Sequence, residues 1–156
     1  MIHLNKAIIN IRTTQVDINT KQDEVIELIT EGKFYKKNDA YYLVYDESEI
    51  SGMQGTTTTL KIKGELVILR RIGSNSSIME FEKNKRYKTQ YKTPYGSMAM
   101  EMLTKNVNVY IREEPLQIDI KIEYDILIKN MFEGKNSMHI RVNKDDYIVK
   151  DELNAN

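Results

Sequence analysis

From Ile118 to Ile128 the chain reads Ile-Asp-Ile-Lys-Ile-Glu-Tyr-Asp-Ile-Leu-Ile, apolar and polar residues alternating almost without exception. A β-strand sends successive side chains to opposite faces, so Ile118, Ile120, Ile122, Tyr124, Ile126 and Ile128 share one side. At roughly 3.3 Å per residue the run is about 35 Å long, against a usual strand of ~5–6 residues. Such length, with one apolar and one charged face, predicts a strongly curved antiparallel sheet or a barrel. The same period of two recurs elsewhere. It links Ile9 with Ile11, Leu66 with Ile68 and Ile72, Val107 with Val109 and Ile111, and Met138 with Ile140 and Val142.

Turn signals separate these runs: Lys37-Asn38-Asp39, Gly52 to Gly55, Lys63-Gly64, Gly73 to Ser77, Lys83-Asn84-Lys85, Pro94-Tyr95-Gly96, Glu113-Glu114-Pro115, Glu133 to Asn136, and Lys144-Asp145-Asp146. Their spacing predicts about ten antiparallel strands joined by hairpins. Val25, Leu28 and Ile29 fit helical spacing, but Ile26 and Leu28 fit a strand equally, and a strand is the expectation there. An open sheet of this width would present long unpaired edges, which closure removes. Pro94 and Pro115 both fall in turns, where they take no donor from a ladder. The expected architecture is all-β: one antiparallel meander β-barrel of about eight to ten strands. It occupies residues 1–150, with 151–156 a polar, frayed tail.

Composition narrows the class. A chain of 156 residues is the size of one domain, and 40% hydrophobic with 29% charged residues is ordinary for a soluble globular protein. The 23 basic residues balance the 23 acidic ones, so no overall field steers the protein toward nucleic acid or anionic lipid. Absence of cysteine excludes disulfides, thiolate metal sites and a cysteine nucleophile. The first residues, Met1-Ile2-His3-Leu4-Asn5-Lys6, lack the charged and apolar regions of a signal peptide. No apolar run approaches the ~20 residues of a membrane span. A cytoplasmic protein is expected, with no membrane partner.

Several residue groups carry chemistry that needs weighing. Glu47 and Glu49, two apart on one strand, would hold carboxyl groups ~6–7 Å apart. That arrangement suits glycoside hydrolysis or a hard cation, but also a solvated edge strand. If Tyr41, Leu43 and Tyr45 face inward, Glu47 enters the barrel and needs a cation there. Arg70, taken to share the face of Leu66, Ile68 and Ile72, is the expected partner. Between Lys83 and Tyr95, basic residues interleave with Tyr87, Tyr91 and Tyr95, as in single-strand nucleic-acid platforms. Parity separates them: Tyr87, Thr89, Tyr91 and Thr93 on one face, Arg86, Lys88 and Lys92 on the other. A lysine-rich outside and a hydroxyl-bearing lumen follow, and no nucleic-acid partner.

Thr56 to Thr59 suits a hydroxyl ladder for a ligand but reads first as a threonine-rich strand, and Gly52-Met53-Gln54-Gly55 reads as a hairpin or bulge. Met98, Met100 and Met102 share a face and suit either an irregular core or an adaptable pocket. The two histidines, His3 and His139, have no cysteine to join them in a metal site. There is no GxSxG elbow, GxxxxGK[ST] loop or GxGxxG turn. No catalytic residue, metal ligand or cofactor is assigned.

The segment YDESEISGMQGTTTTLKI (45–62), then Arg70-Arg71 and Gly73, Met79-Glu80-Phe81, and Tyr91-Lys92-Thr93-Pro94-Tyr95-Gly96, resembles the YwiB-like family of bacterial proteins. The resemblance spans roughly residues 5–148 and implies a calycin-like, lipocalin-type β-barrel without an agreed activity. Calycins commonly hold a small apolar ligand, although a fold does not fix a function. The leading expectation is a small hydrophobic or amphiphilic ligand in a lumen lined by Glu47, Arg70, Tyr91, Met98, Met100 and Tyr124. The alternatives are a protein–protein interaction module on a filled scaffold, and an enzyme using Glu47 and Arg70. Nothing in the pattern sets an oligomeric state.

Overall fold

The alternation at Ile118–Ile128 becomes a strand of 12 residues, Gln117–Ile128, in a computed structural model that describes residues 4–144. Its even-numbered side chains from Ile118 to Ile126 are buried, while Lys121 and Glu123 face solvent. Ten strands follow one another in chain order: β1 (Asn5–Asp17), β2 (Asp23–Lys37), β3 (Ala40–Asp46), β4 (Thr56–Lys63), β5 (Leu66–Gly73), β6 (Ser77–Phe81), β7 (Arg86–Thr93), β8 (Gly96–Arg112), β9 (Gln117–Ile128) and β10 (Phe132–Lys144). Each pairs antiparallel with its chain neighbours except at β6 and β7, and β1 pairs with β10. The order β6-β5-β4-β3-β2-β1-β10-β9-β8-β7 is therefore a meander wound into a nearly closed barrel. At the seam, Ser76 and Lys92 exchange two backbone hydrogen bonds of 2.9 Å, the bridge linking the two ends of the sheet.

Three features shape the lumen. Strand β8 carries a bulge between Thr104 and Asn106. It shifts the inward set from even positions (Met100, Met102, Thr104) to odd ones, where Val107 is buried. Strand β2 pairs with β3 only from Lys33 to Lys37, so its first half runs clear of β3. The strands part at Gly32, where an added Cβ would lie 2.5 Å from Ile9 Cδ1 and 2.7 Å from the Val44 carbonyl oxygen. The chain from Ser48 to Gly55 fills the corner after β3, with a 3₁₀ turn at Glu49–Ser51 capped by the Ser48 side chain. Gly52 (φ 74) and Gly55 (φ 85) take the left-handed conformation there.

The apolar core packs one half of the barrel. Ile9, Leu43, Ile62, Val67, Phe81, Ile118, Ile120, Ile140 and Val142 are fully buried and belong to one contiguous cluster.

Some expectations need correction. The turn placed at Glu133–Asn136 lies inside β10; the chain reverses at 129–131, with Asn130 in the left-handed conformation (φ 64). The reversal between β1 and β2, at Ile18–Gln22, carries only weak turn signals in Asn19 and Thr20. Glu49 does not share a strand face with Glu47, because β3 ends at Asp46 and Glu49 opens the 3₁₀ turn, exposed. His3, the turn at Lys144–Asp146 and the tail at 151–156 lie wholly or partly outside the described residues. Among the described residues, no helix is long and apolar enough to cross a membrane.

Candidate functional site

The half of the barrel that the core leaves open holds a cavity of about 440 Å³. Its inner wall is apolar where β1, β2, β6, β8 and β10 present Ile11, Leu28, Met79, Met100 and Met138. Its mouth lies between the Ser51–Met53 corner and the β9–β10 turn, with Met131 exposed at the edge. The parting of β2 from β3 widens this end, where Ile26 and Leu28 are paired with β1 alone and line the cavity.

Polar groups sit inside this apolar wall in two clusters, close enough that the Arg71 charge of one acts on the Tyr124 phenol of the other. In the first, Glu47 continues the inward parity of Leu43 and Tyr45 beyond the end of β3 and is only 7% exposed. Thr58 directly opposes Tyr45 in the β3–β4 ladder, and its hydroxyl donates to Glu47 Oε1 at 2.7 Å. Arg71 enters from β5, its side chain 15% exposed, with Nε 3.8 Å from Glu47 Oε1. Its Nη1 lies 3.7 Å from Met79 Sδ. Burial pushes the Tyr45 phenol well above its ordinary range; the neighbouring Glu47 carboxylate adds to this and Arg71 opposes it.

In the second, Tyr124 of β9 and Asn136 of β10 are direct cross-strand partners, and Asn136 Nδ2 donates to the Tyr124 hydroxyl at 3.3 Å. Burial also raises the Tyr124 pKa, so the phenol keeps its proton; the Asn136 bond and the nearby Arg71 charge pull the other way. Tyr91 lines the cavity from β7, its hydroxyl accepting from Asn75 Nδ2 at 3.0 Å. Three polar atoms of this set are buried without a hydrogen-bond partner among the described residues: Glu47 Oε2, Arg71 Nε and Asn136 Oδ1.

Of the residues expected to line the lumen, Glu47, Tyr91, Met100 and Tyr124 border this cavity. Met98 is half-buried on the same strand but does not border it. Arg70 is displaced from its expected place. Val67, Leu69 and Arg71 form the inward face of β5, and Arg70 points out, exposed, with no carboxylate within 4 Å among the described residues. The cation beside Glu47 is therefore Arg71. Sequence reasoning also missed Asn136, read as part of a turn, and favoured a plain strand former over a binding hydroxyl at Thr58. Thr56 and Thr58 both face inward and bond there, Thr56 Oγ1 accepting from the Asn75 backbone N–H at 3.0 Å. His139 lies on the outer face against Asp119, at 3.0 Å.

A family model described as a domain of unknown function, DUF1934, matches residues 9–140. An uncharacterised β-barrel protein, YwiB of Bacillus subtilis (strain 168), is 28% identical over 117 residues, covering 75% of this chain and 80% of that protein. The crystal structure of the Bacillus subtilis YwiB protein superimposes with a TM-score of 0.78 at 22% identity, over 90% of this chain and 92% of that one.

Proposed function

The chain belongs to the DUF1934 family, a domain of unknown function, and from that premise we propose that it is a binding protein for a small amphiphilic molecule held in the open half of the barrel. One observation carries this reading: the lumen is a cavity of about 440 Å³ with an apolar wall and a buried polar set that includes Glu47, Arg71, Tyr124 and Asn136. Small-molecule sites commonly measure ~300–1,000 Å³, mostly apolar with a few convergent polar groups. The buried atoms without partners are where a ligand's polar end would be satisfied, since such atoms are costly when left alone. The methionines Met53, Met79, Met100, Met131 and Met138 supply a deformable surface for the apolar body.

The other readings have less support. An interaction module on a filled scaffold presupposes a barrel without a lumen cavity, and an enzyme built on Glu47 and Arg70 requires two groups that face opposite sides of the wall. Cytoplasmic residence is part of the same proposal, drawn from the cysteine-free composition.

Native mass spectrometry of protein purified from its own host tests the reading. The expected spectrum carries a non-covalent adduct of small-molecule mass that disappears in a Met79→Trp/Met100→Trp variant, whose indoles would fill the lumen. An adduct-free spectrum, together with no uptake of the dye anilinonaphthalene sulfonate by the folded protein, overturns it.

A further inference from the structure

We propose that the polar end of the lumen selects an uncharged head that both donates and accepts hydrogen bonds, of the primary carboxamide class, over a carboxylate or an ammonium head. The inference rests on the amphiphile-binding reading above and adds the chemistry of the head.

The hydrogen-bonding inventory leads to this class. Glu47 Oε1 is engaged by Thr58, while Glu47 Oε2 has no partner. Asn136 directs its amide hydrogen to Tyr124, which leaves Asn136 Oδ1 without a donor. The buried end thus offers two acceptors that call for N–H groups. It also offers donors: Arg71 Nε, 3.8 Å from Glu47 Oε1, makes no hydrogen bond among the described residues, and the Tyr124 hydroxyl, accepting from Asn136, still has its own proton to give. A carboxamide has two N–H donors and a carbonyl acceptor on one small planar group, matching both halves of the set.

Charge argues in the same direction. Glu47 is 7% exposed and the Arg71 side chain 15%, and the two lie 3.8 Å apart, so their formal charges cancel inside the lumen. An anionic head entering there gains from Arg71 and is opposed by Glu47; a cationic head meets the reverse. Either also loses its own hydration, a large cost in a site of low polarity. An uncharged head avoids that cost and satisfies atoms that are otherwise buried unpaired.

Isothermal titration calorimetry with three probes of one chain length, decanamide, decanoate and decylamine, tests the proposal. The expected result is decanamide binding about tenfold more tightly than either ion, near 1.4 kcal/mol. Removing one charge should switch the preference. Glu47→Gln leaves Arg71 uncompensated and should favour decanoate; Arg71→Gln leaves Glu47 and should favour decylamine. Wild-type protein that ranks either ion first, or binds all three alike, overturns the head assignment while leaving lumen binding intact. Failure of all three to bind overturns the binding reading itself. The wild-type ranking decides the matter even if a variant does not fold.

Discussion

Arg71 combines a long apolar stem, which packs along the lumen wall, with a guanidinium that offsets the one buried carboxylate among the described residues. Removing one partner of a buried ion pair typically costs ~3–5 kcal/mol, because the remaining charge is left uncompensated. Arg71 borders an open cavity, so a smaller loss, about 2 kcal/mol, is expected for Arg71→Met, measured by urea denaturation. Arg70→Met should change stability by less than ~0.5 kcal/mol, since Arg70 is exposed. The double variant Glu47→Leu/Arg71→Met should recover most of the loss of the single one. Equal effects of the two arginine substitutions would show that Arg71 carries no special burden. The neighbouring residues explain why the sequence points to the wrong arginine. The strand Leu-Val-Ile-Leu-Arg-Arg-Ile is apolar on both faces, Leu66 and Ile68 on one and Val67 and Leu69 on the other. Such a strand contains no parity signal. In Leu43-Val44-Tyr45-Asp46-Glu47 the exposed Asp46 marks the outer face, and the inward placement of Glu47 is legible.

Glycines within strands record where elements approach most closely, and β2 is the clearest case. At Gly32 the strand leaves β3, and the Val44 carbonyl occupies the space a side chain would need, 2.7 Å from an ideal Cβ. Ile9 Cδ1 can rotate away from its 2.5 Å approach, but a backbone carbonyl of β3 moves only with its strand. Gly32→Ala should therefore destabilise by ~1–3 kcal/mol despite the usual gain from replacing glycine in a strand. A thermal melt reads this directly, and a variant as stable as the parent would mean that β3 yields freely. Gly134 plays a similar part in β10, where a Cβ would meet the Phe132 ring and the Val16 carbonyl. In the sequence Gly134 is indistinguishable from a turn glycine, which is why a turn was expected at Glu133–Asn136. The strands themselves were legible wherever one face is apolar and the other charged, as in β9. The β8 bulge is visible in hindsight as the step from even-numbered methionines to odd-numbered valines, but neither run alone reveals that both belong to one strand.

At the scale of the molecule, the barrel's weakest join is the seam between β6 and β7. Every other neighbouring pair shares a ladder, whereas these two strands are tied by the Ser76–Lys92 bridge and the turn between them. A second cavity, of about 460 Å³, follows the gap and is bordered by Arg70, Arg71, Ser77 and Lys92. Arg71 therefore borders both the lumen and the seam, and entry by the wide mouth at Met53 and Met131 is to be distinguished from entry through the seam. A disulfide in a Ser76→Cys/Lys92→Cys variant separates them. Ser76 and Lys92 are directly opposed, and facing strand residues lie about 5.5 Å apart at Cα, within the range a disulfide spans. Closing a loop of about 15 residues should stabilise the oxidised form by ~2–3 kcal/mol over the reduced one. If ligands enter by the mouth, the association rate of decanamide in stopped-flow measurements should be the same in both forms. A rate that falls on oxidation would make the seam the entrance, with Arg71 as the group a ligand passes. An oxidised form no more stable than the reduced one would show that the barrel is already held as firmly at β6–β7 as elsewhere.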